Sequence, residues 1–196
     1  ERFTHLALDK DEKCLAHLAL SQLSRSTGDH NRAIRHAQDA MITRGWPEPY
    51  FALAESFYAF ASSGKDARYN YERAAHNIEI GLALKTDDNA HTVQLQNPKI
   101  RYLVHDMLHV CLSRTGNIAG AMQSCEHGIS GLHVDDPVRI RLEKNLAVYR
   151  AEQSKRAVHS HIDGMVQRDV LAEPAAHAIK ELMSGKVSVQ LLSAPV

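Results

Sequence analysis

Two histidines at positions 105 and 109 have the type and the spacing that metal coordination requires. His105 and His109 lie four residues apart, with Asp106 between them, so on a helix both imidazoles would leave the same face and could share an ion. The glutamate of an HExxH motif is absent, and the spacing supplies no third ligand. Packing of both imidazoles against a neighbouring helix is the favoured interpretation. The sequence therefore predicts no metal and no cofactor, with this pair kept as candidate ligands.

Other residues with reactive side chains also favour structural roles. His159 and His161, with Asp163 nearby, would converge on an ion in a loop but diverge on a helix or a strand. Cys111 and Cys125 fall on the inner stripes of predicted helices, where thiols act as small apolar fillers. The sequence has no P-loop, no Gly-rich dinucleotide turn and no Gly-x-Ser-x-Gly elbow. We therefore expect this chain itself to be non-enzymatic.

The charge balance disfavours polyanionic partners. The chain has 196 residues, with 23 Lys plus Arg against 23 Asp plus Glu, so no net charge draws it to nucleic acid. No apolar run approaches the roughly 18 residues that a membrane span needs. Three cysteines without a CxxC pair are typical of a reducing compartment. We expect a cytoplasmic protein that neither binds nucleic acid nor crosses a membrane.

The elements that position these residues are predicted to be helices. Apolar residues recur at intervals near 3.6 through the first 180 positions, which indicates an all-α fold. Gly28, Gly64 and Gly116 interrupt the pattern and predict three turns between paired helices. A capping helix is expected over 138–155, an extension over 156–172 interrupted at Gly164, and a further helix after Pro174. Residues 186–192 alternate like a short strand, which either pairs outside this chain or forms an ordered tail.

The turn sequences carry a family resemblance. Gly28-Asp29 and Gly116-Asn117 are each followed, five positions after the glycine, by a small residue, Ala33 and Ala121. Small residues recur seven positions later, and a displaced middle copy carries Gly64, Ala74 and Gly81. The chain thus resembles the tetratricopeptide repeat family, although His17 and His105 stand where the family has an aromatic residue. The resemblance implies an antiparallel helix-hairpin solenoid of about three repeats plus terminal helices.

The same resemblance implies a binding groove. First helices of each repeat line the concave face of such solenoids, and the family register places nine residues there: Leu18, Gln22, Arg25, Phe51, Ala54, Tyr58, Asp106, Val110 and Ser113. The surface is apolar and aromatic in its centre with one cation and one anion at the sides. Such a surface suits an extended peptide or a helix. Alternatively, the chain's own tail fills the groove.

A second resemblance offers a different function. The segment 48–55, the helix end at 81–84, and Asp135-Asp136-Pro137 followed by Asn145 and Tyr149 are similar to the tetratricopeptide-like arm of some bacterial and phage glycosyltransferases. This resemblance implies an accessory arm whose catalytic α/β domain lies outside the chain.

These observations lead to one interpretation with one alternative. We expect a helical repeat domain over 1–155, and C-terminal helices with a strand-like tail over 156–196 that could begin another domain. The predicted function is a non-catalytic scaffold that binds a protein or peptide partner, or another copy of itself, in the groove. The alternative is the glycosyltransferase arm.

Overall fold

A computed structural model describes residues 9–64, 66–84, 100–168 and 170–184. Within these ranges the chain is helical and contains no strand, which confirms the all-α prediction. The predicted strand at 186–192 lies outside the described residues. The helices are α1 (Lys10–Ser26), α2 (His30–Thr43), α3 (Pro47–Ser62), α4 (Ala67–Ala83), α5 (Ile100–Leu103), α6 (His105–Arg114), α7 (Ile118–Ser130), α8 (Pro137–Gln167) and α9 (Glu173–Met183).

The three predicted turn glycines do end helices. Gly28, Gly64 and Gly116 have φ values of 79°, 85° and 92°, a region that residues with a Cβ atom enter at a cost. Asp29 and Asn117 follow two of these glycines, and their side chains accept hydrogen bonds from backbone N–H groups of the next helix. Each of these turns therefore combines a left-handed glycine with an N-cap.

Small residues allow the paired helices to approach closely. Ala33 and Ala40 of α2 and Ala121 of α7 have no exposed surface. At Gly81 a Cβ atom would lie 2.6 Å from Cε1 of Phe51, so the α3 ring rests directly on the α4 backbone. At Gly128 a Cβ atom would lie 2.5 Å from Cδ1 of Leu142. Close packing through these positions follows from residue size.

The pairs α1/α2 and α6/α7 place equivalent residues alike. Gly116 follows Gly28 by 88 positions, and the capping residues Asp29 and Asn117 have nearly the same backbone angles, φ −82° with ψ 74° and φ −83° with ψ 72°. The same offset relates the fully buried Ala33 and Ala121. One hairpin can therefore serve as a reference for the other, position by position.

The chain divides into two compact units, residues 1–146 and 147–196, and the division falls within α8. The sequence predicted an interruption at Gly164, yet α8 continues through it, because one glycine costs a helix only about 1 kcal/mol. In the second unit, Ile162 and Ala176 are buried, and Lys180 forms an ion pair with Asp163. Among the described helices, none is both long and apolar enough to cross a bilayer.

Candidate functional site

A cavity of about 600 Å³ lies between α1 and α3. Its volume is in the range of sites that hold a ligand or a few side chains of a partner. The apolar side chains of the lining are Leu15, Leu18, Ala19, Phe51, Ala52 and Ile100. The polar ones are Gln22, Arg25, Glu48 and Glu55. Four of the nine predicted groove residues, Leu18, Gln22, Arg25 and Phe51, belong to the lining. The described lining residues therefore offer apolar surface, an amide, a guanidinium group and two carboxyl groups to a bound molecule.

Glu48 is the unusual residue of this lining. It follows Pro47 in the first turn of α3 and is 7% exposed. Among the described residues its Oε2 atom has no hydrogen-bond partner. Burial raises the pKa of Glu48, while its own backbone N–H and the charge of Arg101 act in the opposite direction. Glu48 therefore brings to the lining a desolvated carboxyl group whose Oε2 atom is buried and, among the described residues, unpaired, which is a costly arrangement.

Arg101 does not neutralise Glu48 by direct pairing. Its Nη1 and Nη2 atoms donate hydrogen bonds to the carbonyl oxygens of Leu82 and Leu84, at 3.2 and 2.7 Å. This guanidinium group is thus used to satisfy the last carbonyls of α4. Its charge acts on Glu48 only through space.

Arg25 and Glu55 form an ion pair within the same lining. Nη2 of Arg25 lies 2.5 Å from Oε2 of Glu55, and Nη1 donates to the carbonyl oxygen of Ala52 at 3.3 Å. The predicted groove cation is therefore held against α3 by an ion pair. Since Arg25 and Glu55 compensate one another, Glu48 leaves the lining with an excess of negative charge when it is ionised.

The other five predicted groove residues lie outside this lining. Ala54 has no exposed surface and belongs to the core. Tyr58 packs edge-on against Tyr71 of α4, with ring centroids 5.8 Å apart. Asp106, Val110 and Ser113 lie on α6, where Oγ of Ser113 donates to the carbonyl oxygen of Val110 at 2.9 Å.

Asp106 is engaged by neighbouring side chains. Its Oδ2 accepts a hydrogen bond of 2.6 Å from Nη2 of Arg141 in α8, and its Oδ1 lies 3.7 Å from Nε2 of His109. Burial acts to raise the pKa of Asp106, but hydrogen bonds from His109 and Arg141 outweigh it and lower the pKa. The predicted groove anion is therefore largely compensated within the fold.

His105 and His109 have separate partners. Nδ1 of His105 lies 3.0 Å from Oγ of Ser124, and its ring stacks on His127 with centroids 5.7 Å apart. Nε2 of His109, which is 2% exposed, lies 3.4 Å from Nδ2 of Asn145. Burial, assisted by His127, lowers the pKa of His105 to about 4. The two imidazoles thus contact different helices, α7 for His105 and α8 for His109.

A group of metal-ligating side chains occurs instead in the first hairpin. His17 of α1 and His36 of α2 are 8% and 6% exposed, and their Nδ1 atoms lie 3.3 Å apart. Oδ2 of Asp39, one turn after His36, lies 3.7 Å from Nδ1 of His17 and 4.0 Å from Nδ1 of His36. Burial lowers the pKa of His17, and Asp39 opposes this change. Two nitrogen donors and one oxygen donor therefore converge at this point.

The other candidates from the sequence are thiols and two histidines of α8. Cys14, Cys111 and Cys125 are buried and free, and burial raises the pKa of their thiols to about 11, 12 and 12. Thiols of this kind stay protonated and are poor nucleophiles. His159 and His161 lie in α8, where residues two apart leave different faces.

Sequence reasoning missed Glu48 as a site residue and His17, His36 and Asp39 as a cluster. A carboxylate directly after Pro47 in an otherwise apolar segment was visible, but its burial depends on α1 packing against α3. His36 and Asp39 are three residues apart on one helix. His17 and His36 lie on opposite sides of Gly28 in the sequence, at 11 and 8 residues from it. Folding the hairpin at Gly28 would have brought the three together.

Comparison of the chain with known protein families, with curated proteins and with solved structures found no match. Both family resemblances therefore stay predictions from the sequence.

Proposed function

We propose that this chain is a protein-interaction module, built as a tetratricopeptide-like solenoid, that binds a peptide segment of a partner in the α1–α3 cavity. The observation that carries the proposal is the cavity of about 600 Å³, whose lining combines apolar side chains with the buried carboxyl group of Glu48, unpaired at Oε2 among the described residues. Helix pairs joined by glycine turns, with adjacent first helices lining one surface, support the repeat arrangement.

The composition of the lining supports a proposal for the side chain that the partner supplies. Leu18 and Phe51 provide an apolar wall, and Glu48 lies in the same lining. A lysine or arginine matches this combination, because its aliphatic stem packs on apolar surface while its cationic head pairs with a carboxylate. A cation bound in the cavity would offset the cost of burying the Glu48 charge. We therefore expect a partner segment with one basic residue next to apolar ones.

Selection from a library of displayed random peptides, with the purified chain as bait, tests this proposal. Selected peptides should share a basic residue beside apolar residues. Replacement of that residue by norleucine, which keeps an aliphatic stem, should weaken binding by about tenfold or more, as for other close charge pairs. Glu48→Gln should weaken the parent peptide similarly and leave the norleucine peptide unaffected.

Two leucines of α1 provide a matched control. Leu18 lines the cavity, whereas Leu23 lies outside the lining and is 59% exposed. Leu18→Ala should cost about tenfold in affinity, the loss expected for an apolar anchor, while Leu23→Ala should have no effect. Peptides without a basic residue, equal effects of the two alanine variants, or no selected peptide would refute the proposal. Exclusive binding of free small amines would assign the cavity to a small molecule instead.

Self-association and the glycosyltransferase arm stay predictions from the sequence. Sedimentation of the purified chain tests the first, and the sequence flanking residues 1 and 196 tests the second. No contact or distance among the described residues favours the arm over the interaction module.

A further inference from the structure

The first hairpin holds a triangle of donor atoms whose size suits a metal ion. The three separations between Nδ1 of His17, Nδ1 of His36 and Oδ2 of Asp39 are 3.3, 3.7 and 4.0 Å. A point equidistant from the corners of such a triangle lies about 2.1 Å from each, within the range of zinc–nitrogen and zinc–oxygen bonds. The donor atoms therefore need little movement to surround an ion.

We propose that His17, His36 and Asp39 form a binding site for a divalent first-row metal ion of the zinc type. Two imidazole nitrogens and one carboxylate oxygen are the donors that such ions accept, whereas Mg²⁺ and Ca²⁺ prefer oxygen ligands alone. Three protein ligands leave a further coordination position for water or a partner's side chain. The site is independent of the α1–α3 cavity, because none of its residues lines that cavity.

The fold itself brings the ligands together. His17 comes from α1, while His36 and Asp39 come from α2 at a spacing of three residues, which places them on one helix face. Both imidazoles are buried, so packing restricts their orientation, whereas the Asp39 side chain is 42% exposed. An ion can thus reach the site from the side of Asp39, and once bound it would connect the two helices of the hairpin.

The α6/α7 pair, called the third hairpin here, has the equivalent positions but lacks a complete ligand set. Displacement by 88 residues takes His17 to His105, His36 to Ser124 and Asp39 to His127. Nδ1 of His105 lies within hydrogen-bond distance of Oγ of Ser124, at 3.0 Å. Serine is a poor ligand for zinc-type ions. This difference supplies a natural substitution, His36→Ser, that the same hairpin geometry accommodates. It also supplies a control, His105→Ser, which removes one histidine outside the site.

The experiment titrates chelator-washed protein with Co²⁺ and then with Zn²⁺. Tetrahedral or five-coordinate Co²⁺ absorbs visible light much more strongly than octahedral Co²⁺, so the spectrum reports protein ligation directly, and Zn²⁺ should displace the ion. We expect one equivalent bound per chain. His36→Ser should weaken binding by at least about 100-fold, since loss of a mere supporting partner already costs 10–100-fold. His105→Ser should bind as the parent does.

A second variant keeps the test decisive if His36→Ser fails to fold. Asp39→Asn retains the histidine pair and the partly exposed position, and it should weaken Co²⁺ binding by about tenfold or more, the size of a supporting-partner loss. Zn²⁺ should also raise the melting temperature of the parent but not of either variant. The proposal is overturned if less than one equivalent binds at about 100 μM Co²⁺, or if both variants bind as tightly as the parent does. It is equally overturned if His105→Ser abolishes binding, since the ion would then lie in the third hairpin.

Discussion

The partly buried His105 is expected to make the third hairpin sensitive to acid. In the folded chain its pKa is lowered from 6.5 to about 4, first by burial and then by His127. Between these two values the unfolded chain binds more protons than the folded chain does. The free energy of unfolding must therefore fall as pH decreases through this interval. The stability that depends on a neutral His105 is fully present above about pH 6.5 and is lost toward pH 4.

The size of the effect follows from the two pKa values. At pH 5 a shift from 6.5 to about 4 corresponds to about 2 kcal/mol. Because His105 retains some solvent exposure, screening reduces this to about 1 kcal/mol. Of the groups facing the imidazole, Ser124 keeps its own hydrogen bond to the His105 carbonyl oxygen. The nearby Asp106 is compensated by Arg141 and His109.

The perturbation is His105→Phe, which keeps a ring against His127 but cannot titrate. Thermal unfolding of both proteins is followed by circular dichroism at pH 7.5 and pH 5.0. The parent should lose about 1 kcal/mol more than the variant on acidification, or about 2–4 °C in melting temperature for a chain of this size. An NMR titration of His105 gives its pKa directly. A His105 pKa near 6.5, or equal acid losses in both proteins, would refute the reasoning.

Three further predictions concern helix packing, helix caps and the cavity. Gly128→Ala should lower the free energy of unfolding by about 1–3 kcal/mol, because the added methyl group overpacks against Leu142. Gly164→Ala in α8, where the nearest atom is 3.9 Å away, should instead raise the free energy of unfolding by up to about 1 kcal/mol. Urea unfolding of both variants measures the two effects, and equal losses would contradict the close contact at Gly128. Asp29→Ala and Asn117→Ala should each lower the free energy of unfolding by about 1 kcal/mol, because each removes the side chain that caps a helix. Urea unfolding measures the loss, and an unchanged midpoint in both variants would show that the caps do not stabilise the fold. Glu48→Gln should raise the free energy of unfolding by about 1 kcal/mol at pH 8, because it removes a buried carboxylate whose pKa is raised by burial. The gain should be smaller at pH 4, where more of the parent's carboxyl groups are protonated. Thermal melts at both pH values measure the effect, and a variant that is destabilised at both would contradict the desolvation of this carboxylate.

The helices and their turns could be predicted from the sequence because their causes are local. Apolar spacing and the glycines at 28, 64 and 116 act within a few residues, and the structure has positive φ at each of them. The interruption predicted at Gly164 does not occur, because a glycine without a positive φ or a capping residue only weakens a helix. The all-α prediction rests on these local signals and is confirmed for the described residues.

The candidate sites could be predicted only in part because they depend on contacts between helices. Leu18 and Phe51 were placed in the groove by the family register, and both line the cavity. The burial of Glu48 depends on how α1 packs against α3, which no pattern in either helix specifies. The cluster of His17 with His36 depends on the register of the first hairpin, where a displacement of one residue would separate their nitrogen atoms.

The three-residue connection of the first hairpin also bears on how the chain folds. Because α1/α2 and α6/α7 are similar, α1 could in principle pair with α7 while the polypeptide is still collapsing. Closing a loop of about 90 residues costs roughly 3 kcal/mol more than closing one of three residues, by chain entropy alone. The short connection between Ser26 and His30 therefore favours pairing of α1 with α2, its neighbour in the sequence, over pairing of α1 with α7.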